Sequence, residues 1–118
     1  MQLAALTDPA CALGEGPVWE PRHGRLYWTD IPGQRLWAWS AGAGAWQRPL
    51  AAPAGALVRG PGDTLVAPMY RGFAVVDPAT GAARALLDPL AAPAGTLMND
   101  GACDPAGRLV AGAKDAAE

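Results

Sequence analysis

The sequence predicts an all-β fold, part of a β-propeller amounting to about two and a half blades of four-stranded antiparallel meanders. Three observations carry this expectation. Short β-favouring stretches alternate with turn sequences roughly every ten residues. A Gly-x-Leu signature recurs at Gly24-Arg25-Leu26, at Gly62-Asp63-Thr64-Leu65 with one extra residue, and at Gly107-Arg108-Leu109, so its leucines stand 39 and 44 positions apart. A period of about 40–50 residues built from four strands is that of a propeller blade. Helical periodicity is weak throughout.

Blade-like repeats are expected at about 14–50, 55–88 and 98–118. The first begins with Gly16-Pro17-Val18-Trp19 and turns at Glu20-Pro21-Arg22-His23-Gly24. Arg25-Leu26-Tyr27-Trp28-Thr29-Asp30 follows, then the turn Ile31-Pro32-Gly33. In Gln34-Arg35-Leu36-Trp37-Ala38-Trp39-Ser40, strand alternation sets Leu36 on the face opposite Trp37 and Trp39. A third turn, Ala41-Gly42-Ala43-Gly44, leads to Ala45-Trp46-Gln47-Arg48-Pro49.

The pattern then starts over. Strands are expected at Gly55–Arg59, Thr64–Pro68, Phe73–Asp77 and Ala82–Leu87, with turns at Gly60-Pro61-Gly62-Asp63, Tyr70-Arg71-Gly72 and Pro78-Ala79-Thr80-Gly81. Pro89 and Pro93 break any helix near Leu86–Ala94, so Asp88–Leu97 reads as a crossing between blades. A third copy begins at Asn99-Asp100-Gly101-Ala102-Cys103-Asp104, turns at Pro105-Ala106-Gly107, and continues through Arg108-Leu109-Val110-Ala111-Gly112. A blade buries both faces against its neighbours and cannot satisfy them alone. Two and a half blades leave a face and strand edges open. The expectation is therefore an N-terminal fragment of a single propeller domain, a truncated reading frame, or one part of an assembly.

Composition excludes several function classes. Nine Lys and Arg against eleven Asp and Glu give a net charge of -2, and the basic residues form no patch in sequence, which argues against nucleic acid or an anionic membrane as partner. The 15 Gly and 12 Pro accompany 51% hydrophobic residues and five Trp, which points to tight turns between strands and not to disorder. No apolar run approaches the ~20 residues needed to span a bilayer as a helix. The N-terminus lacks the charged and apolar regions of a signal peptide, so a cytoplasmic location is expected. Cys11 and Cys103 lack zinc or redox spacing and read as small buried or half-buried thiols.

Nucleophile chemistry is equally unsupported. The one His (His23) and the one Ser (Ser40) sit in a turn and at a strand end, without a G-x-S-x-G setting, and His23 reads as a solvated turn residue. Gly14-Glu15-Gly16-Pro17-Val18-Trp19 begins like a dinucleotide loop, but Trp19 stands where the third glycine belongs and the Glu15 charge would repel a pyrophosphate.

Oxygen chemistry remains. Glu15 lies between two glycines at the start of the first strand, and Asn99-Asp100-Gly101 holds the equivalent place in the third repeat. The innermost strands of a propeller converge on its central channel, so these positions meet in space although 84 positions apart. A carboxylate with amide oxygens suits a hard divalent cation such as calcium. The plainer alternative stays open here: a solvated loop carboxylate and an ordinary turn tripeptide.

Leu13-Gly14-Glu15-Gly16-Pro17-Val18-Trp19, followed by Gly24-Arg25-Leu26-Tyr27-Trp28-Thr29-Asp30-Ile31, resembles the opening of the regucalcin/gluconolactonase (senescence marker protein) family. Asn99-Asp100-Gly101-Ala102-Cys103-Asp104-Pro105-Ala106-Gly107-Arg108 with Ala111-Gly112 resembles that family's second signature. The resemblance runs from about Leu13 to Gly112 and covers the first part of a family member. It implies a six-bladed propeller with a divalent metal, calcium or zinc, in the central channel, and hydrolysis of small-molecule sugar lactones. It further implies that Glu15 is a metal ligand and that Asn99 contacts substrate. The family's remaining ligands, including the aspartate that serves as general base, lie further along than this chain runs.

Two departures bear on substrate. Leu97 stands where the family often has an arginine, and the acidic contact expected after Ala111-Gly112 has only Glu118 nearby, one place late. The leading expectation is thus a metal-dependent sugar-lactone hydrolase site that is incomplete in this chain, weakly active or inactive. The alternatives are a propeller that binds or scaffolds without chemistry, which Leu97 favours, and a truncated gene remnant. A completing chain or oligomer is left open.

Overall fold

Each Gly-x-Leu signature marks the same turn, and the backbone says why it begins with glycine. Gly24, Gly62 and Gly107 have φ of 64°, 61° and 82°, the left-handed region that side chains with a Cβ disfavour. Each lies in the turn that returns the chain from the first strand of a sheet to the second, Gly24 and Gly107 at its end and Gly62 within Pro61–Thr64. A computed structural model describes residues 1–8, 10–87 and 94–117. Among these the regular structure is all strand. The first sheet runs in sequence order through β1 (Gly14–Glu20), β2 (Arg25–Asp30), β3 (Arg35–Ser40) and β4 (Gly44–Pro49). The second does the same through β5 (Val58–Arg59), β6 (Leu65–Met69), β7 (Gly72–Val76) and β8 (Ala83–Leu87). β9 (Thr96–Cys103) and β10 (Leu109–Asp115) form a two-stranded hairpin. All pairings are antiparallel.

The core fills the space between the first two sheets. Tyr27, Leu36 and Ala38 come from the first; Leu65, Ala67, Met69, Ala74 and Val76 come from the second; Leu50, Ala54 and Leu57 come from the connection. Leu36 and Ala38 therefore face the second sheet, while Trp37 and Trp39 take the opposite face, as alternation predicts. On that opposite face Trp28 and Trp37, which are register partners, stack with centroids 5.9 Å apart and planes within 6°. Such a pair adds about 0.5–1.5 kcal/mol beyond its buried area. Trp19, on the same face, is 51% exposed.

Asp30 ties the entering chain to this sheet. It is 6% exposed, and its Oδ2 accepts from the Ala12 N–H at 3.0 Å while Oδ1 accepts from Leu13 at 3.1 Å and Gly33 at 3.4 Å. The Ile31 N–H closes the junction on the Leu13 carbonyl at 3.1 Å.

Several expected boundaries shift. The stretch Gly55–Leu57 is buried but outside a strand, with ladder pairing confined to Val58–Arg59 and one bridge from Ala54 to Met69. Its backbone packs against Gly16 and Asn99, and besides that bridge it is held to β6 by the Gly55 N–H on the Pro68 carbonyl. Thr96 and Leu97 belong to β9, not to a connecting loop, and Asn99-Asp100-Gly101 lies inside that strand. Asp88–Pro93 of the expected crossing, and Glu118, lie outside the described residues. Cys11 is half-buried as expected, but Cys103 is exposed because β9 ends on the edge of a two-stranded sheet; both thiols are free. No helix among the described residues is long and apolar enough to cross a membrane.

Candidate metal and substrate site at one end of the channel

Glu15 owes its direction to a β-bulge. It pairs with Thr29, and Val18 pairs with Tyr27, so Gly16 and Pro17 together oppose Trp28 alone. In a regular strand, residues three apart such as Glu15 and Val18 would fall on opposite faces. The bulge returns both to the face that meets the second sheet. Bulges of this kind re-aim side chains and concentrate beside functional sites. Gly16 makes this one possible, with φ of 59° and a backbone so close to Ala56 that a Cβ would come within 2.9 Å of the Ala56 Cα. Glu15 itself is exposed.

Asn99 sits in a second bulge. Ala111 pairs with Gly101 and Ala113 pairs with Met98, so Asn99 and Asp100 together oppose Gly112. Met98 beside them is buried, and Asn99 is half-buried. The Asp100 carboxylate is exposed and accepts from the Gly101 N–H at 2.7 Å. Leu97, two positions before Asn99, pairs with Lys114 on β10.

One short segment links the two bulges. Ala56 backs Gly16 next to Glu15, and Gly55 lies against the main chain of Asn99. Gly55 in turn donates its N–H to the Pro68 carbonyl at 3.0 Å. The start of β1 and the middle of β9 thus flank the same two residues. Glu15 and Asn99 share this segment but not a direct hydrogen bond or ion pair among the described contacts. One carboxylate and one amide suit a hard cation in kind but are fewer than the six to eight oxygens calcium takes. Among the described residues no group of three or more His, Cys, Asp or Glu could hold a metal ion.

Some residues at this end escape the sequence reading. Gly55 and Ala56 carry no motif; their role lies in what they touch. Tyr70, in the β6–β7 turn at the same end, is exposed and holds a left-handed φ of 57°, a strained setting for a residue that is not glycine. Thr29, opposite Glu15, is fully buried, and its Oγ1 has no hydrogen-bond partner among the described residues.

The opposite end carries a different chemistry. A cleft of about 520 Å³ opens there, lined among others by Glu20, Arg22, His23, Arg59 and Asp63. Arg22 pairs with Asp63 at 3.1 Å, and the His23 Nδ1 lies 2.9 Å from Glu20 Oε2 and 3.9 Å from Asp63. Desolvation works to raise the Glu20 carboxyl, but the His23 ring and the N–H groups of His23 and Arg22 outweigh it and hold it below the usual carboxylate range. His23 is thus an exposed turn residue, as expected, with a carboxylate partner. This cleft is remote from Glu15 and Asn99, since β1 runs from one end of the sheet to the other.

Comparison with known proteins places the chain. Residues 13–118 match the family described as SMP-30/Gluconolactonase/LRE-like region. The chain is 37% identical over 116 residues to a pentonolactonase of Haloferax volcanii, covering 95% of this chain and 38% of that protein. It is 34% identical over 117 residues to an L-arabinolactonase of Azospirillum brasilense, covering 97% of this chain and 38% of that one. Among solved structures, a calcium-binding regucalcin of Agrobacterium tumefaciens matches with a TM-score of 0.78 at 26% identity, over 93% of this chain and 38% of the other. A luciferin-regenerating enzyme matches with a TM-score of 0.77 at 18% identity, over 89% of this chain and 37% of the other, which supports the fold alone. The chain spans about 38% of the length of the lactonases it matches. Its sheets are part of a β-propeller, and the chain belongs to the SMP-30/gluconolactonase/LRE-like family.

Proposed function

We propose that this chain supplies the first part of a metal-dependent sugar-lactone hydrolase site, with Glu15 as metal ligand and Asn99 as substrate contact. The observation that carries the reading is the pair of bulges, one following Glu15 and one containing Asn99, held to a common end by Gly55 and Ala56. The similarity to two sugar lactonases favours a lactone as substrate, and the similarity to the calcium-binding regucalcin of Agrobacterium tumefaciens favours a divalent cation, calcium or zinc.

When bound, the cation would polarise the lactone carbonyl. The Glu15 carboxylate would hold it, and the Asn99 amide, which both donates and accepts hydrogen bonds, would orient sugar hydroxyls. Hydrolysis also needs a base for the attacking water. Asp100, the other carboxylate at this end, is exposed and turned onto its own neighbour's N–H. Turnover by this chain alone is accordingly expected to be weak or absent.

A calcium or manganese titration followed by amide NMR tests the site. Expected are shifts or broadening at Glu15, Asn99 and Asp100 that disappear in Glu15→Gln. The same titration curve in Glu15→Gln would sink the reading. A second reading, a propeller that binds without chemistry, is favoured by the apolar Leu97 two positions before Asn99. A lactone panel separates them: slow, metal-dependent turnover lost in Glu15→Gln supports the hydrolase, and binding without turnover supports the scaffold.

A further inference from the structure

Thr29 is fully buried, yet its hydroxyl has no hydrogen-bond partner among the described residues. Valine would fill the same volume without a polar atom, so the hydroxyl is a cost to folding unless it acquires a partner. Thr29 is the register partner of Glu15, and residues paired directly across an antiparallel ladder project to one face. Cβ atoms of such opposed residues are about 4.5–5.5 Å apart. A glutamate has the reach to fold back across that gap.

We propose that Thr29 is a positioning residue for Glu15: its hydroxyl donates to one oxygen of the Glu15 carboxylate and leaves the other free to hold a divalent cation. This rests on Glu15 being a metal ligand. In the structure Glu15 is exposed and the bond is open. Its closure accompanies cation binding, when the carboxylate is drawn from solvent toward the channel. Among the described residues no group is bonded to the hydroxyl, and its neighbours on this face, Tyr27 along β2 and Leu36 across from it on β3, are a ring and an aliphatic chain. The bond does two things. It satisfies the buried Thr29 hydroxyl, and it restricts the rotamers of a long side chain, so the ligand is presented in one orientation. Partners of this outer kind commonly tune metal affinity by about 10–100-fold.

The experiment is a manganese titration of the full 118-residue chain, read by line broadening of backbone amides, on the parent, Thr29→Val, Thr29→Ser and Glu15→Gln. Expected is about tenfold weaker manganese binding in Thr29→Val, binding within about twofold of the parent in Thr29→Ser, and loss of site broadening in Glu15→Gln. The metal-free melting temperature of Thr29→Val is expected to equal or exceed that of the parent, which a packing role for the residue would not give. Parent-like manganese binding in Thr29→Val, with binding still lost in Glu15→Gln, overturns the role of Thr29 and leaves the metal site standing. Equal weakening in Thr29→Ser and Thr29→Val also overturns it, because the methyl group and not the hydroxyl would then matter. Parent-like binding in Glu15→Gln removes the metal reading itself, and this inference with it.

Discussion

A methyl group placed on Gly55 would lie 2.6 Å from the Asn99 carbonyl carbon, so these two residues meet main chain to main chain. The contact joins the connection before β5 to the bulge of β9. It is also where the two halves of the candidate site are held at a fixed separation.

Gly55→Ala is therefore expected to displace β9 or loosen it. Overpacking of this kind costs about 1–3 kcal/mol, and Gly16→Ala adds the strain of its left-handed φ to a similar clash. Gly42→Ala is the control, with nothing within 4 Å of its added Cβ and no positive φ. Urea unfolding midpoints of the three variants check this: the first two fall clearly, and the third stays within experimental error.

The core between the first two sheets gives a second test. Leu36 is 1% exposed and sits at its centre, so Leu36→Ala is expected to cost about 2–5 kcal/mol. Val110 is 61% exposed, and Val110→Ala should stay within about 0.5 kcal/mol of the parent. Equal effects from the two in chemical denaturation would place the core elsewhere.

Acid should release the N-terminal segment first. Burial works to raise the Asp30 carboxyl, but the N–H groups of Leu13, Ala12 and Gly33 outweigh it, with help from Arg35, and the net shift is downward. A depressed carboxylate contributes stability that is present above its unfolded value, about pH 3.9, and is lost as the pH falls through the lower folded value. Amide signals of Ala12 and Leu13 should thus lose protection below about pH 4 while β3 persists. Asp30→Asn should show weakened protection at neutral pH already, and little further change on acidification.

At the far end, the Arg22–Asp63 pair should contribute little. Its side chains are 64% and 71% exposed, so solvent screens it. Arg22→Ala is expected to change stability by less than about 1 kcal/mol. A melting curve that dropped sharply, and did so less in high salt, would contradict this.

Much of the fold is legible in local sequence. Gly24, Gly62 and Gly107 announce three equivalent turns because only glycine takes their φ freely. Leu36 and Trp37 announce opposite faces because a strand alternates. Glu15 and Asn99 stand out as polar residues at repeat starts, and the structure puts each beside a bulge. The limits are instructive too. Gly55–Leu57 reads as strand by composition, yet it stays outside a strand and its backbone packs against Gly16 and Asn99. Leu97 reads as loop because two prolines precede it, yet it pairs with Lys114.

The sequence by itself determined the strands, the turns and the repeat, since these depend on φ preferences and side-chain alternation within a few residues. Only the tertiary structure decided what Glu15 faces and what Asn99 touches. A bulge is the difference of one residue between two paired strands, so it exists only once Glu15 has found Thr29 and Val18 has found Tyr27. The Gly55–Asn99 contact joins residues 44 positions apart, and no local preference of either residue encodes it.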